Sequence, residues 1–347
     1  MRRAVLAALV FAVGCGKKPP APASPEAPSS DPPPLHAEQG KCAPLRIEQR
    51  VVADRILYHR LVVGDTLHGA QVREIVHHFA DQFMCLGVGN PWENVAVAGA
   101  LYAFDPKGEP VAYAHRTGPL GAAFRVVQGR AGARAAVGVV GMKTGAPAAY
   151  AVKGQTVVFY ETDPAIKRLT ADTDRYFSYV ADARKRGATV EVKVGDRRAE
   201  LTADTGRKFG LLVVDPYDNA DHPTDLMTKE AVQLYFARLA PDGLLAFDIS
   251  NKFVDFEPMF ARVAEELKLV ARVWNDPAEG ATSALGKNAS SWMVFARDEQ
   301  ALGPLAVPTD QQLTAFGSRF RPADTRPEVP AWTDAHAAVV PAMEVKR

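Results

Sequence analysis

Carboxylates follow two of the most apolar segments of this sequence. Glu161 ends the segment TVVFYE, and Asp215 and Asp218 lie at the end of LLVVDPYD. At the end of a strand, a carboxylate can accept hydrogen bonds from the two hydroxyls of a ribose, and a pair of carboxylates can take a proton from an incoming amine and hold its cation. The ordinary alternatives are a solvated charge at Glu161 and an Asx turn at Asp215. These residues are the first candidates for a site.

A glycine-containing loop precedes Glu161. The loop GMKTG runs from Gly141 to Gly145, where glycines allow a tight turn and a close approach of the backbone to a ligand. An acidic residue about 20 residues after such a loop is typical of nucleotide sites in doubly wound sheets, where it binds the ribose. Farther along the chain, Asp196 can accept a hydrogen bond from an adenine amino group or belong to an ordinary Gly-Asp turn.

These candidates require a scaffold that brings strand ends together. After Arg130, short and wholly apolar runs alternate with amphipathic segments of helical period, which is typical of a parallel sheet covered on both faces. The predicted strands are 135–141, 156–161, 189–194, 209–215, 243–250, 269–274 and 290–297, and the clearest helices are 228–240 and 255–267. In such a doubly wound α/β sheet, ligands bind at the carboxyl ends of the strands, near the point where the strand order reverses.

A smaller β-rich subdomain is predicted ahead of this sheet. β-branched and aromatic residues predict strands within 46–64 and 94–108, and apolar residues at helical spacing predict a helix over 71–85. At the other end of the chain, the proline-rich tail contains Trp332, which we interpret as an anchor onto the domain.

The first residues resemble an export signal. A basic head precedes an apolar run that ends at Gly14 and is followed by Cys15. This order resembles a bacterial lipoprotein signal, in which Cys15 would be lipidated, and a plain secretory signal is the alternative. The run is too short to span a bilayer, so we expect an N-terminal lipid anchor and a periplasmic or cell-envelope location. The predicted organisation is a signal peptide with a lipobox at 1–15, a proline-rich disordered linker at 16–43, an N-terminal β-rich subdomain at 44–129, a Rossmann-like domain at 130–300 and a partly packed tail at 301–347.

Charge and cysteine content narrow the possibilities further. The 41 basic and 40 acidic residues nearly cancel, so no global field attracts nucleic acid or an anionic membrane surface. A hydrophobic fraction of 47% excludes a disordered chain. Cys42 and Cys85 can form a disulfide in an oxidising compartment or remain two buried thiols, and the sequence leaves both possibilities open.

The order and spacing of eight motifs resemble the spermidine synthase family, the polyamine aminopropyltransferases, and more narrowly its bacterial spermidine synthase-like branch. The motifs are TLHGAQ (66–71), AHRTGPLG (114–121), VGVVGMKTG (137–145), FYETDPA (159–165), GDRR (195–198), LLVVDPYD (211–218), MTKEAVQLYFARLAPDGLLAFDISN (227–251) and AWTD (331–334). The resemblance implies a class I methyltransferase-type, seven-stranded doubly wound sheet behind a small N-terminal β-rich subdomain.

By this resemblance, the chain would transfer an aminopropyl group from decarboxylated S-adenosylmethionine to a diamine, without a metal. Gly141 and Gly145 would belong to the loop that approaches this co-substrate. Glu161 would hold its ribose, and Asp196 its adenine end. Asp215 would take the proton from the attacking amine, because an amine is a nucleophile only when it is neutral.

The same resemblance implies a trough for the polyamine. Gln71 and Tyr113 would line this trough, and Asp218 would help to hold the cations of the substrate. Aliphatic diamine cations require an acidic, partly aromatic surface, which these residue types supply. A small-molecule polyamine is therefore the expected partner, and the related synthases imply a homodimer.

Two positions in the glycine loop differ from the family pattern. Thr144 lies where polyamine synthases have an aspartate that holds the aminopropyl ammonium, and Lys143 replaces a glycine. A lysine ammonium facing the pocket, about 5 Å from the sulfonium, would cost about 3 kcal/mol at an effective dielectric constant of about 20, whereas a lysine facing solvent would cost nothing. Export would also separate the protein from a donor made in the cytosol. Two alternatives therefore stand beside the aminopropyltransferase: a catalytically silent, envelope-anchored homologue that binds polyamines or nucleosides, and an S-adenosylmethionine-dependent methyltransferase.

Overall fold

A four-stranded antiparallel sheet forms the N-terminal part of the folded chain. The computed structural model describes residues 32–52, 56–75, 107–217, 223–251, 254–278, 286–306 and 319–337. The strands of the first sheet, in their spatial order, are β1 (His36–Gln39), β2 (Pro44–Val52), β3 (Ile56–Val63) and β4 (Thr66–Ile75). Leu45, Ile47 and Leu61 in this sheet are buried and belong to the same apolar core as one face of the larger sheet that follows.

The larger sheet has eight strands within the described residues. They are β5 (Val137–Val140), β6 (Thr156–Glu161), β7 (Thr189–Val194), β8 (Phe209–Val214), β9 (Leu239–Asp248), β10 (Val270–Asp276), β11 (Ser290–Ala296) and β12 (Arg321–Pro322). Their spatial order is β12-β10-β11-β9-β8-β5-β6-β7. The strands β5 to β9 are parallel, and β10, β11 and β12 pair antiparallel. The predicted doubly wound sheet is thus confirmed, with all seven predicted strands and a short eighth.

Helices cover both faces of this sheet. They are α1 (Pro119–Ala131), α2 (Pro164–Thr170), α3 (Tyr179–Lys185), α4 (Arg197–Ala203), α5 (Lys229–Arg238), α6 (Glu257–Leu267) and α7 (Glu299–Leu302). Successive residues of a strand point to opposite faces, so Val157 and Phe159 of β6 join one apolar core, whereas Val158 and Tyr160 join the other. The first core includes α1, α2, α3 and α7, and the second includes α4, α5 and α6. Among the described residues, none of the helices has the length and apolar character needed to cross a membrane.

Capping residues fix the starts of two of these helices. The side chain of Thr228 accepts a hydrogen bond from the backbone N–H of Ala231 at 3.1 Å, which makes it the N-cap of α5. Asp163 caps α2 in the same way by accepting from the N–H of Ala165 at 2.8 Å, and Pro164 occupies the first turn. These helix starts could be read from the sequence because the capping residue lies next to the segment that it caps.

The predicted helix over 71–85 is wrong where the structure describes it. Residues 71–75 continue β4, with Gln71 paired to His59 and Ile75 paired to Ile56 of β3. The consecutive residues 70–72 are all buried, because β4 has protein on both of its faces. Burial on both faces removes the alternation that identifies a strand, so the apolar residues imitate helical spacing. The rest of the predicted helix, and the strand predicted within 94–108, lie outside the described residues.

The boundaries of the folded parts also differ from the predicted ones. Strand β1 pairs with β2, with His36 opposite Ile47, so regular structure begins inside the segment predicted as a linker at 16–43. Helix α1 packs against β8 and β9 and therefore belongs to the larger domain, although most of its residues precede position 130.

The tail includes β12 and the buried Trp332, whose ring lies edge-on to Phe256 with centroids 5.7 Å apart. This contact supports the interpretation of the tryptophan as an anchor.

Candidate functional site

The strand order of the large sheet reverses between β5 and β8. At this point the backbone N–H of Asp215 donates to the carbonyl of Val140 at 2.9 Å, which joins the end of β8 to the end of β5. Gly141 follows with a φ of 94°, and a Cβ added to it would lie 2.3 Å from the carbonyl oxygen of Asp215. The glycine is thus required both by its backbone conformation and by the close approach of a neighbouring strand. Ligands bind at this position in doubly wound sheets.

Glu161 lies at this edge and faces the glycine loop. The side chain is 4% exposed, and its Oε2 accepts a hydrogen bond from the N–H of Met142 at 2.9 Å. Its Oε1 accepts from the backbone N–H groups of Thr162 and Asp163 at 2.7 and 3.0 Å. A carboxylate offers about four lone-pair positions, so Oε2 can accept a further hydrogen bond from a ligand hydroxyl. The sequence placed Glu161 here because it ends the strand next to the loop.

Lys143 faces inward and pairs with the predicted base. Its ammonium donates to Oδ1 of Asp215, and the two side chains are 11% and 3% exposed. The same ammonium lies 5.3 Å from the centroid of the Tyr113 ring, within the range of a cation–π interaction. The predicted catalytic aspartate and the predicted substrate-binding tyrosine are therefore brought together, around a cation that belongs to the chain itself.

A second buried carboxylate, Asp248 at the end of β9, belongs to this cluster. Burial and the negative charge of Asp215 raise its pKa to about 7, and the positive charge of Lys143 opposes this rise. Burial, and then the charges of Asp215 and Asp248, also raise the pKa of Tyr113. Asp248 was not among the predicted site residues, although the segment GLLAFDIS contains the same signal as the other sites, an acidic residue at the end of an apolar strand.

Replacing Asp248 by asparagine is expected to make stability less dependent on pH. A carboxyl group whose pKa is higher in the folded than in the unfolded chain contributes stability at low pH, and this contribution is lost as the pH rises toward 7. This rise in the pKa of Asp248 corresponds to a difference of about 4 kcal/mol in the free energy of unfolding between low pH and a pH above 7. Urea unfolding should therefore find Asp248→Asn more stable than the unaltered chain at about pH 8 and similar to it at about pH 4. Parallel pH profiles would contradict this, and Asp242→Asn, at an exposed position, is the control.

Several buried polar atoms at the loop have no hydrogen-bond partner among the described residues. They include Nε2 of His68, Oγ1 of Thr144 and Oδ2 of Asp215. Burial, followed by the positive charges of Lys143 and Arg197, lowers the pKa of His68 to about 3, so the imidazole is neutral. Buried polar atoms without partners are rare in proteins, and a polar ligand at this edge would supply the missing hydrogen bonds.

The space next to Glu161 is small in this conformation. A cavity of about 30 Å³ lies there, and its lining residues are Cys42, Val63, His68, Lys143, Glu161, Thr162, Asp163 and Ile166. This volume suits about one water molecule, whereas ligand pockets usually exceed about 300 Å³. The segment Gly40–Ala43 borders the cavity, and the N–H of Lys41 in it donates to Oδ2 of Asp163 at 2.7 Å. We call this segment the cover.

The amide of Gln71 makes three hydrogen bonds within the chain. Its Nε2 donates to the carbonyl of Lys107 at 2.7 Å and to Oγ of Ser178 at 2.8 Å, and its Oε1 accepts from the N–H of Ser178 at 2.6 Å. These bonds tie β4 to the residue that precedes α3. Gln71 therefore stabilises the contact between the two sheets, and its predicted contact with a polyamine stays a prediction.

The remaining predicted site residues are arranged differently from one another. Asp196 is exposed and caps α4 by accepting from the N–H of Ala199 at 2.7 Å, so it lies at the correct sheet edge but away from the cavity lining. Gly145 closes the loop with a φ of 75°, and its N–H donates to the carbonyl of Met142 at 2.8 Å.

Asp218 lies outside the described residues, as do Cys85 and the predicted signal. Cys42 is exposed, and its pairing stays a prediction.

The described acidic residues at this edge are engaged by donors of the chain itself. Within the part of the chain that the structure describes, no group of three or more His, Cys, Asp or Glu side chains is arranged to hold a metal ion. The carboxylates instead bind backbone N–H groups or the ammonium of Lys143. These contacts show carboxylates that accept from N–H groups and from an ammonium, and groups of this kind can recognise hydroxyls and charged nitrogen groups.

Comparison with solved structures identifies the fold. The chain is similar to a probable spermidine synthase from Corynebacterium glutamicum ATCC 13032, with 14% identity, 88% of this chain and 99% of that chain covered, and a TM-score of 0.50. It is also similar to a spermidine synthase from Thermotoga maritima (13% identity, 81% and 80% covered, TM-score 0.44) and to the O-methyltransferase TomG from Streptomyces achromogenes (14%, 62% and 93%, 0.36). No protein-family model and no curated protein matches the chain. The first likeness, together with the strand order, shows a class I methyltransferase-type fold of the spermidine synthase kind, with its small N-terminal sheet.

Proposed function

We propose that this chain is a catalytically silent relative of the aminopropyltransferases, which binds a nucleoside at the carboxyl edge of its large sheet. The observation that carries the proposal is the buried ion pair between Lys143 and Asp215. The ammonium of Lys143 occupies the position between Asp215 and Tyr113 in which a transferase would hold the attacking amine. The fold of a transferase is retained, but its acceptor position is already filled.

The ion pair opposes transfer in two ways. Asp215 can take a proton from a substrate amine only at Oδ2, beside the ammonium of Lys143, or after the amine replaces Lys143 at Oδ1, because the general base must lie within hydrogen-bond reach of the proton that it takes. The lysine also places a positive charge beside the glycine loop, where the sulfonium of the co-substrate would lie. Two positive charges about 5 Å apart repel each other by about 3 kcal/mol at an effective dielectric constant of about 20.

The groups that would bind the nucleoside are in place, whereas the position of the sulfonium lies beside the positive charge of Lys143. Glu161 keeps a lone-pair position at Oε2 beside the cavity, and the glycine loop retains its close approach to β8. His68 contributes a neutral ring with an unsatisfied nitrogen. These groups suit ribose hydroxyls and a base. Entry of a nucleoside requires the cover to move, because the cavity itself holds only about one water molecule.

Aminopropyl transfer from decarboxylated S-adenosylmethionine to a diamine is the second candidate. It is favoured by the arrangement of Asp215, Asp248 and Tyr113, because these residues surround a primary ammonium, that of Lys143. In this candidate, the substrate amine displaces the lysine from Asp215. Methyl transfer from S-adenosylmethionine has no comparable observation in its favour.

The location of the protein forms part of the proposal. The leader that ends at Cys15 and the proline-rich segment after it would hold the domain at the cell envelope, with a lipid anchor as its membrane contact. A silent binding protein needs no supply of an intracellular co-substrate, whereas a transferase at this location would. A homodimer is expected from the resemblance, and sedimentation of the purified chain would test it.

Calorimetric titration of the full chain tests the proposal. Methylthioadenosine should bind, putrescine alone should not, and incubation with the decarboxylated donor and putrescine should yield no methylthioadenosine. Lys143→Gly should increase affinity for the decarboxylated donor, because it removes the repelling charge, by up to about a hundredfold. Release of methylthioadenosine by the unaltered chain would overturn the silent assignment in favour of the transferase. Absence of any nucleoside binding would overturn the nucleoside assignment.

A further inference from the structure

We infer that the chain has a second binding site, beside helix α3, and that this site takes a small phosphate monoester. A cavity of about 380 Å³ lies there, which is within the size range of ligand pockets, whereas the cavity beside Glu161 has about 30 Å³. None of the residues that line one cavity lines the other, so the inference is independent of the proposed nucleoside site. The charged lining residues are Glu109, Arg116, Asp182, Lys185 and Arg186.

Two guanidinium groups meet at one backbone oxygen of this cavity. Nη2 of Arg116 and Nη2 of Arg186 donate to the carbonyl of Ala149, at 3.3 and 3.2 Å. Arg186 also donates to the carbonyl of Ala148 at 3.2 Å. The turn Ala146–Tyr150 therefore holds two positive charges close together, although they come from separate segments of the chain. An anion that binds between the two guanidinium groups would offset their repulsion.

The guanidinium of Arg116 is fixed before any ligand binds. Its Nε donates to Oε2 of Glu109 at 2.8 Å, and its central carbon lies 5.0 Å from the centroid of the Tyr150 ring. The backbone of Arg116 is fixed as well, because a Cβ added to Gly121 of α1 would lie 2.1 Å from the carbonyl oxygen of this arginine. A side chain that is already ordered loses little conformational entropy when a ligand binds, so this arginine is prepared for recognition.

The balance of charge around the cavity favours an anion. Three cations face two carboxylates, and each carboxylate already lies next to a cation. Glu109 accepts from Arg116, and an oxygen of Asp182 lies 3.6 Å from the ammonium of Lys185. The side chain of Lys185 is 66% exposed, so its ammonium can turn toward a ligand at the mouth of the cavity. A cationic ligand would meet three positive charges here, whereas an anion is attracted by them.

The two arginines suit a phosphate better than a carboxylate. Each guanidinium is a planar fork of N–H donors that matches two oxygens of one ligand group. A carboxylate has two oxygens in one plane, whereas a phosphate monoester has three terminal oxygens and a charge of about −1.5 to −2 at pH 7. It can therefore accept from both Arg116 and Arg186. The volume of the cavity leaves room for an organic group on the ester oxygen.

Calorimetric titration of the full chain with glycerol 3-phosphate tests the inference, with glycerol as the uncharged control. We expect a Kd below about 1 mM at low ionic strength, a weaker affinity as sodium chloride is added, and no binding of glycerol. Absence of binding would overturn the site. Competition with methylthioadenosine would place the phosphate at the glycine loop and would also overturn it. Binding to phosphatidic acid vesicles without binding to glycerol 3-phosphate would overturn the assignment to a soluble ligand.

Substitutions then assign the binding to this cavity. Arg186→Met should weaken the affinity for glycerol 3-phosphate at least about tenfold, because a charge-assisted contact is lost. Lys185→Met should weaken it about threefold, and its exposed position keeps the test valid if Arg186→Met does not fold. Arg262→Met, on α6 at the other face of the large sheet, should leave the affinity unchanged. Unchanged affinity in both lining variants would overturn the site.

Discussion

Lys143→Met should destabilise the folded chain by about 3 to 5 kcal/mol near neutral pH. Removal of one partner of a buried ion pair leaves the other charge uncompensated, and measured losses for such changes fall in this range. The remaining charge, Asp215, is 3% exposed, and its Oδ2 has no hydrogen-bond partner among the described residues. Urea unfolding monitored by circular dichroism would measure the loss as a lower midpoint with an unchanged slope.

Two controls separate the ion pair from a general effect of losing a lysine. The double variant Lys143→Met/Asp215→Asn removes both charges of the pair and should recover most of the stability, because neither partner is left without the other. Lys153→Met changes the same residue type at an exposed position and should stay within about 0.5 kcal/mol of the unaltered chain. A loss below about 1 kcal/mol in Lys143→Met would mean that the ammonium does not pair with Asp215 in solution.

Gly141→Ala is expected to be nearly as damaging, for a steric reason. The added Cβ would lie 2.3 Å from the carbonyl oxygen of Asp215, and the backbone φ of 94° is one that side chains rarely adopt. Because the contact is with backbone at the end of β8, neither atom can move without separating β5 from β8. We expect a loss of about 3 kcal/mol, together with loss of nucleoside binding, since the carboxylate of Asp215 would shift.

A second glycine in the same chain provides the matched control. A Cβ added to Gly129, in helix α1, would have no atom within 4 Å. Alanine is the better helix former, so Gly129→Ala should stabilise the chain by about 0.5 to 1 kcal/mol. Thermal unfolding of the two variants should therefore shift in opposite directions. A similar midpoint for Gly141→Ala and the unaltered chain would exclude the close approach of β5 and β8.

The large sheet could be predicted from the sequence because its strands are buried on both faces. Apolar runs such as TVVFYE identify such strands directly, and the acidic residue at the end of each run then marks the ligand edge. This reasoning placed Glu161 and Asp215 at one edge, where the structure has them. It could not identify β12, because a two-residue strand contains no period.

Side-chain pairing could not be predicted in the same way. Lys143 and Asp215 are 72 residues apart, and whether the lysine points inward depends on the packing of β4 and the loop. The role of Gln71 depends on Ser178, 107 residues away, which no local pattern contains. Composition and spacing identify which residues end a strand, whereas the contacts between strand ends are set only when the sheet is assembled.

The backbone of the glycine loop at position 143 has a conformation that suits glycine better than lysine. Lys143 holds a φ of 49°, a left-handed conformation that costs a lysine about 1 kcal/mol and a glycine almost nothing. The main chain therefore already follows the path that suits a residue without a side chain, and the side chain of Lys143 extends from it into the lining of the cavity. Replacement of Lys143 by glycine would therefore remove one side chain from the lining of the cavity while the loop kept its backbone conformation.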